Sequence, residues 1–230
     1  MTQRMILIQS PYFFSEERIK SVSDWASVFG NEQPLSLEIG CGTGHFILER
    51  ARANPGRNYL AIDIFNRGCY KTCRKLEDEG IVNVRVVRAE ARQFLTHHLA
   101  PESLSEIFIN CPDPWPKKRH RRRRLVNAEF LRLAACVLRP EGDFYFSSDV
   151  ENYAQEVAQA LGENPDYRPA AQAPVMAELP DYPRSKYMLR ALEQGESIHY
   201  VHHRRLARQP ILPAPPLRAG FRMNYAATSP

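Results

Sequence analysis

From residue 35 onward, short apolar runs alternate with longer amphipathic stretches, and this alternation predicts a parallel sheet covered by helices on both faces. Strands are expected at 35 to 39, 58 to 62, 84 to 88, 105 to 110 and 142 to 148, with helices at 44 to 53, 66 to 79, 91 to 97, 124 to 138 and 150 to 161. In the helix expected at 124 to 138, Val126, Phe130, Leu133, Ala134, Val137 and Leu138 recur at helical spacing, so one stripe is buried against the sheet. Arg139-Pro140-Glu141-Gly142 then stops it. Upstream, residues 15 to 30 read as one further helix, with Ser15 as its cap and Ile19, Val22, Trp25, Ala26 and Phe29 on one face.

Length and composition narrow this to one main domain. With 230 residues, 43% of them hydrophobic, the chain has enough apolar surface for a single sizeable core. We expect a helical extension at 1–33, the α/β domain at 34–206 and a disordered tail at 207–230, where Pro210, Pro213, Pro215 and Pro216 are scattered among arginines. Met5-Ile6-Leu7-Ile8 is too short for a signal peptide or a membrane span, so no membrane association and a cytoplasmic location are expected. Five cysteines fit reduced thiols better than a disulfide framework. No metal is expected: Cys69 and Cys73 lie one helical turn apart as small buried residues, and His199, His202 and His203 share a strand-like stretch without other ligands.

Charge separates one segment from the rest. The net charge is +5, yet Lys117 to Arg124 holds seven Lys or Arg in eight positions, which leaves 5 − 7 = −2 for the remainder. Such a block is either a solvated face or a phosphate-binding surface.

Candidate chemistry gathers at the expected strand ends. The strand Leu35-Ser36-Leu37-Glu38-Ile39 runs into Gly40-Cys41-Gly42-Thr43-Gly44, a turn in which backbone can approach a ligand closely. Taken alone, that turn fits a steric role or a dinucleotide site equally well. His45, however, stands where a dinucleotide-binding loop needs its third glycine, and Glu38 favours a cationic or amine-bearing ligand over a diphosphate. S-adenosylmethionine meets that description. Asp63 ends the next strand, 19 residues past Gly44, the separation of a ribose-binding acid, although a strand-end Asp also caps helices. Glu90, at the neighbouring strand end, is placed to receive the adenine. Beyond the strand at 105 to 110, Pro112, Pro114 and Pro116 stiffen the loop that displays Asp113 and Trp115.

Pro112-Asp113-Pro114-Trp115-Pro116-Lys117-Lys118-Arg119-His120, followed by Arg123-Arg124-Leu125, resembles the bacterial tRNA (guanine-N7)-methyltransferase family. Similarity runs from about Leu37 to Arg205 and takes in the glycine turn, Asp63, Glu90-Ala91, Asp149 and Ser185-Lys186-Tyr187. The resemblance implies a class I methyltransferase, Rossmann-like fold with a mostly parallel seven-stranded sheet, S-adenosylmethionine as donor, and guanine 46 of the tRNA variable loop as acceptor. Carried over by position, it makes Asp113 the catalytic residue. Glu38, Gly40, Gly42, Gly44, Asp63, Glu90 and Asp113 would line the cofactor. Lys117, Asp149, Ser185 and Tyr187 would meet the tRNA; Trp115, as a ring that stacks on a base, and Arg119, His120 and Arg124, in the phosphate-binding run, are expected to join them, with the protein a monomer or homodimer. Two positions depart from the family: Glu90 stands in place of Asp, and Met188 in place of an acid. The alternatives are a non-catalytic RNA-binding protein on the same fold, which Met188 keeps open, and a methyltransferase of another nucleic-acid base. An enzyme for exocyclic amines would carry two prolines after the acid or Asn, whereas here prolines flank Asp113.

Overall fold

A computed structural model describes residues 6–207; most of the tail expected at 207–230 therefore lies outside the described residues. The core is an eight-stranded sheet in the order β1-β4-β3-β2-β5-β6-β8-β7. Its members are β1 (Phe13–Phe14), β2 (Leu35–Ile39), β3 (Asn58–Asp63), β4 (Val84–Arg88), β5 (Leu104–Asn110), β6 (Leu138–Ser148), β7 (Tyr167–Pro169) and β8 (His199–Arg205). Strands β1 to β6 pair in parallel, and β8 joins β6 and β7 antiparallel. The count exceeds the expected seven by the two-residue edge strand β1, too short for any alternation to announce it.

Alternate strand residues face opposite sides, which divides the core in two. Leu60, Ile62, Ile107 and Ile109 pack with α5 (Ala91–His97), α6 (Ala128–Val137) and α7 (Glu151–Gly162). Tyr59, Ala61, Val84, Val86 and Phe108 pack on the other face with α3 (His45–Ala53) and α4 (Asn66–Glu79). A third cluster seats α8 (Lys186–Glu193) through Met188 and Ala191 against Ile198 and Tyr200. From β2 the chain winds outward through β3 and β4, then returns to place β5 on the other side of β2. Open α/β sheets bind ligands at this reversal, beyond the strand carboxyl ends.

Three expected boundaries shift for local reasons. The helix read over 15 to 30 is two helices, α1 (Glu16–Lys20) and α2 (Trp25–Phe29), because Asp24 accepts from Ser27 N at 3.0 Å and starts a second one. Trp25 still docks as its apolar face requires, its Nε1 donating to His98 O at 2.9 Å. The helix read over 124 to 138 begins at Ala128, since Asn127 caps it by accepting from Phe130 N at 3.0 Å. Arg139 to Gly142 end that helix but form an irregular start to β6, with Glu141 at φ 62°, rather than a separate turn.

Candidate active site

The glycine turn lies at the sheet reversal, and its backbone is left-handed at every glycine: φ is 81° at Gly40, 54° at Gly42 and 81° at Gly44. These angles exclude most side chains. A Cβ at Gly40 or Gly42 would meet nothing within 4 Å, so backbone is what this edge presents. Helix α4 closes on the turn from behind, where a Cβ on Gly68 would stand 2.5 Å from Gly42 O.

Two carboxylates flank this turn. Glu38 is buried in β2, where Oε1 accepts from Asn110 Nδ2 at 3.3 Å and Oε2 has no partner. Burial pushes its pKa up to about 8; the Asn110 hydrogen bond opposes this and the charge of Asp63 adds to it. At the end of β3, Asp63 Oδ2 accepts from Gly42 N and Oδ1 from Phe65 N, both at 2.8 Å, so this acid also shapes the glycine turn. Its pKa is raised by burial, against backbone hydrogen bonds and with a contribution from the charge of Asp113. Ile64 and Phe65, 39% and 42% exposed, follow directly and offer apolar surface to a flat ring.

Glu90 is otherwise occupied. Its Oε2 accepts from Gln93 N at 3.0 Å as the cap of α5, and its Oε1 pairs with Arg92 at 3.0 Å. The added methylene relative to Asp serves that reach, and the adenine contact expected of this side chain competes with a helix cap. S-adenosylmethionine fits the remaining set: an orphaned buried carboxylate oxygen for positive charge, an open glycine backbone, and a second acid at the next strand end.

The loop after β5 carries Asp113 exposed, close enough to Asp63 for its charge to be felt there. Cys111 and Trp115 bracket it at φ 44° and 43°, values unusual for side-chain-bearing residues. Trp115 stands edge-on to His120 at 5.9 Å and lies under the Arg123 guanidinium at 4.9 Å. Lys118–Arg123 form a 3-10 turn in which Lys118, Arg119, Arg122 and Arg123 are exposed, as is Lys117 before it.

Arg124 is a correction. Expected to meet RNA, it is only 3% exposed; its Nε donates to Pro114 O at 2.8 Å, its guanidinium pairs with Glu156 and lies 4.4 Å from the Tyr153 ring centroid. Arg121 pairs with the same Glu156 at 2.8 Å. Two of the seven cations therefore anchor the loop to α7, and five remain exposed. Because Glu156 is 39% exposed, Arg124→Ala is expected to cost only about 2 kcal/mol in urea unfolding, at the low side of a broken buried pair.

Asp149 is half-buried just past β6. Ser185 caps α8 by accepting from Met188 N at 3.2 Å, while its own N–H donates to Met188 Sδ at 3.3 Å. Sulfur thus takes the return position of a capping box, and a side chain with no exposed surface fills the third cluster. The departure at Met188 concerns packing. Tyr187 beside it is 71% exposed.

Two groups near the site carried no signal in the sequence. Asn110 is held from three sides: it donates to Glu38, and its Oδ1 accepts from Ser147 Oγ at 3.1 Å and from Tyr182 OH at 2.8 Å. Tyr182 packs on Phe46 at 5.0 Å and Tyr200 at 5.6 Å, so the segment before α8 reaches the Glu38 carboxyl through Asn110. Among the described residues no helix is long and apolar enough to cross a membrane.

Comparison with known proteins agrees with this geometry. The profile of the family described as "Putative methyltransferase" matches residues 32–201. The tRNA (guanine-N(7)-)-methyltransferase of Syntrophotalea carbinolica is 51% identical, with 100% of both chains covered. That of Geobacter metallireducens is 50% identical over 89% of this chain and 98% of its own. Among solved structures, the 16S rRNA methyltransferase KamB is similar with a TM-score of 0.61 at 18% identity, covering 84% of this chain and 94% of its own, a likeness of fold. With relatives this similar over the full length, the chain belongs to the tRNA (guanine-N(7)-)-methyltransferase family.

Proposed function

We propose that this protein transfers a methyl group to N7 of a guanine in tRNA, at guanine 46 of the variable loop, and does so in the cytoplasm as a monomer or homodimer. The observation that carries the reading is the position of Asp113: an exposed carboxylate on a proline-stiffened loop, electrostatically in reach of Asp63, with five exposed cations immediately after it. S-adenosylmethionine supplies the methyl group as an electrophilic sulfonium. Guanine N7 carries an in-plane lone pair and no proton, so the chain's task is alignment and a suitable field rather than proton removal. Asp113 accepts hydrogen bonds from the N1 and N2 edge of the guanine, and its charge offsets the positive charge arriving on the ring. Glu38 balances positive charge on the donor. Asp63 receives ribose hydroxyls on the lone pairs its backbone contacts leave free. Trp115 stacks on an unstacked base and the exposed cations take phosphates around it.

Met188 no longer supports a non-catalytic reading, because a buried core residue says nothing about RNA. The direct test is to map N7-methylguanosine in bulk tRNA by chemical strand scission after incubation with the protein and S-adenosylmethionine. Scission at position 46 supports the proposal, scission elsewhere reassigns the nucleotide, and no scission refutes the reaction. Binding should also depend steeply on salt: with about four phosphates neutralised, tRNA affinity falls roughly a hundredfold between ~50 and ~200 mM. A flat profile would make the basic segment a solvated face.

A further inference from the structure

We propose that His45, Lys71, Lys75 and Lys186 form a second seat for RNA phosphate, on the opposite side of the sheet from the Lys117–Arg123 segment. The proposal rests on the tRNA reading above and adds residues to it. His45 opens α3 directly after the glycine turn; Thr43 Oγ1 lies 3.1 Å and Lys75 Nζ 3.2 Å from its Nδ1. Lys71 stands one turn before Lys75 on α4, and Lys186 opens α8. Distant in sequence, these elements meet here, for His45 feels the charges of both Lys75 and Lys186, and Lys75 feels those of Lys186 and Lys71.

Burial lowers the His45 pKa and the two lysines lower it further, so the ring is a neutral acceptor that orients Lys75. Among the described residues, none of Lys71, Lys75 and Lys186 forms an ion pair with a carboxylate, and Lys71 and Lys186 are exposed. The charge of Glu79 also reaches Lys75, but Glu79 is paired with Arg52, so three lysines gather with no carboxylate bound to any of them, and an external anion relieves their mutual repulsion. A polyanion is the fitting partner because of the sheet. The Lys117–Arg123 segment is tied to α7 on one face through Arg121 and Glu156, whereas α3 and α4 cover the other. RNA whose guanine enters at Asp113, between the two, crosses the carboxyl edge and brings phosphates to both sides.

The test compares wild type with the triple variant Lys71→Gln, Lys75→Gln, Lys186→Gln, measuring tRNA affinity from ~50 to ~300 mM KCl and S-adenosylmethionine affinity by calorimetry. Each lost phosphate contact flattens the log–log salt slope by about 0.9, so a drop of about 1 to 2 is expected, with roughly tenfold weaker tRNA binding near 0.1 M salt. Cofactor affinity should stay within about twofold, a shift far below that tenfold loss. Arg139→Gln, at the far end of β6, should leave the slope unchanged, and the triple Arg variant at the same positions should restore it. An unchanged slope in the Gln variant, while wild type still methylates tRNA, overturns the second seat alone. A loss of cofactor affinity without a change of slope overturns it too, by assigning the cluster to the cofactor carboxylate. Wild type that binds tRNA without salt dependence sinks both this proposal and the reading beneath it.

Discussion

Asp113→Ala is expected to lower the single-turnover rate of methyl transfer to tRNA by roughly 10² to 10³, about 2.7 to 4 kcal/mol of transition-state stabilisation, with cofactor and tRNA affinities little changed. The side chain is exposed, so its removal opens no cavity and strands no buried partner. Prolines on both sides hold the backbone while the positive φ values at Cys111 and Trp115 set its course, and Arg124 pins Pro114 from beneath. The loop should therefore keep its shape in the variant, and the lost rate reports the carboxylate itself. Asp113→Asn separates its two tasks, since it retains size and one acceptor but removes the charge that offsets the methylated ring. Because N7 needs no base, the wild-type rate at saturating cofactor should be shallow in pH across neutrality. Retention of a rate within a factor of about three of wild type in Asp113→Ala, well short of the expected loss, would leave Asp113 as a loop residue only.

Much of this architecture is legible in the chain, and the failures have physical causes. The strands β2 to β5 and the helices α3 to α5 agree with the periodic pattern to within a residue at each end, because a doubly covered parallel sheet makes strands continuously apolar and helices one-sided. Boundaries moved where a short polar side chain capped a helix inside an apparently continuous stripe, as Asp24 and Asn127 do. The basic run looked uniform because composition cannot say which cation turns inward; Arg124 is distinguished only by what α7 presents to it, Glu156 and the ring of Tyr153. Likewise Asn110 and Tyr182 are 72 residues apart and meet only because the segment before α8 folds back across β5. The motif named Glu38 and Asp113, whereas the groups that set the state of Glu38 had to be read in three dimensions.

That state leads to the last prediction: affinity for S-adenosylmethionine rises with pH through neutrality. In the free protein the Glu38 carboxyl is pushed up to about 8 from an ordinary 4.5, chiefly by burial, so it is mostly neutral at pH 7. A sulfonium stays positive at every pH and favours the carboxylate, so binding below pH 8 must drive a proton off Glu38. If only the ionised form binds, affinity gains roughly 25-fold between pH 6.5 and pH 8.5 and levels off above. Stability of the free protein runs the other way. A folded pKa raised above the unfolded one makes the Glu38 contribution fullest below pH 4.5 and loses it as pH rises through about 8, where bound cofactor restores it. Glu38→Gln keeps the shape and the Asn110 contact but cannot ionise; its cofactor affinity should be flat in pH and weaker than wild type throughout, with the gap widest at pH 8.5. Titration calorimetry in two buffers of different ionisation enthalpy reads both the affinity and the proton released. Should Glu38→Gln keep the wild-type slope and proton release, the titrating group is elsewhere, and the unpartnered Oε2 is not what receives the cofactor's charge.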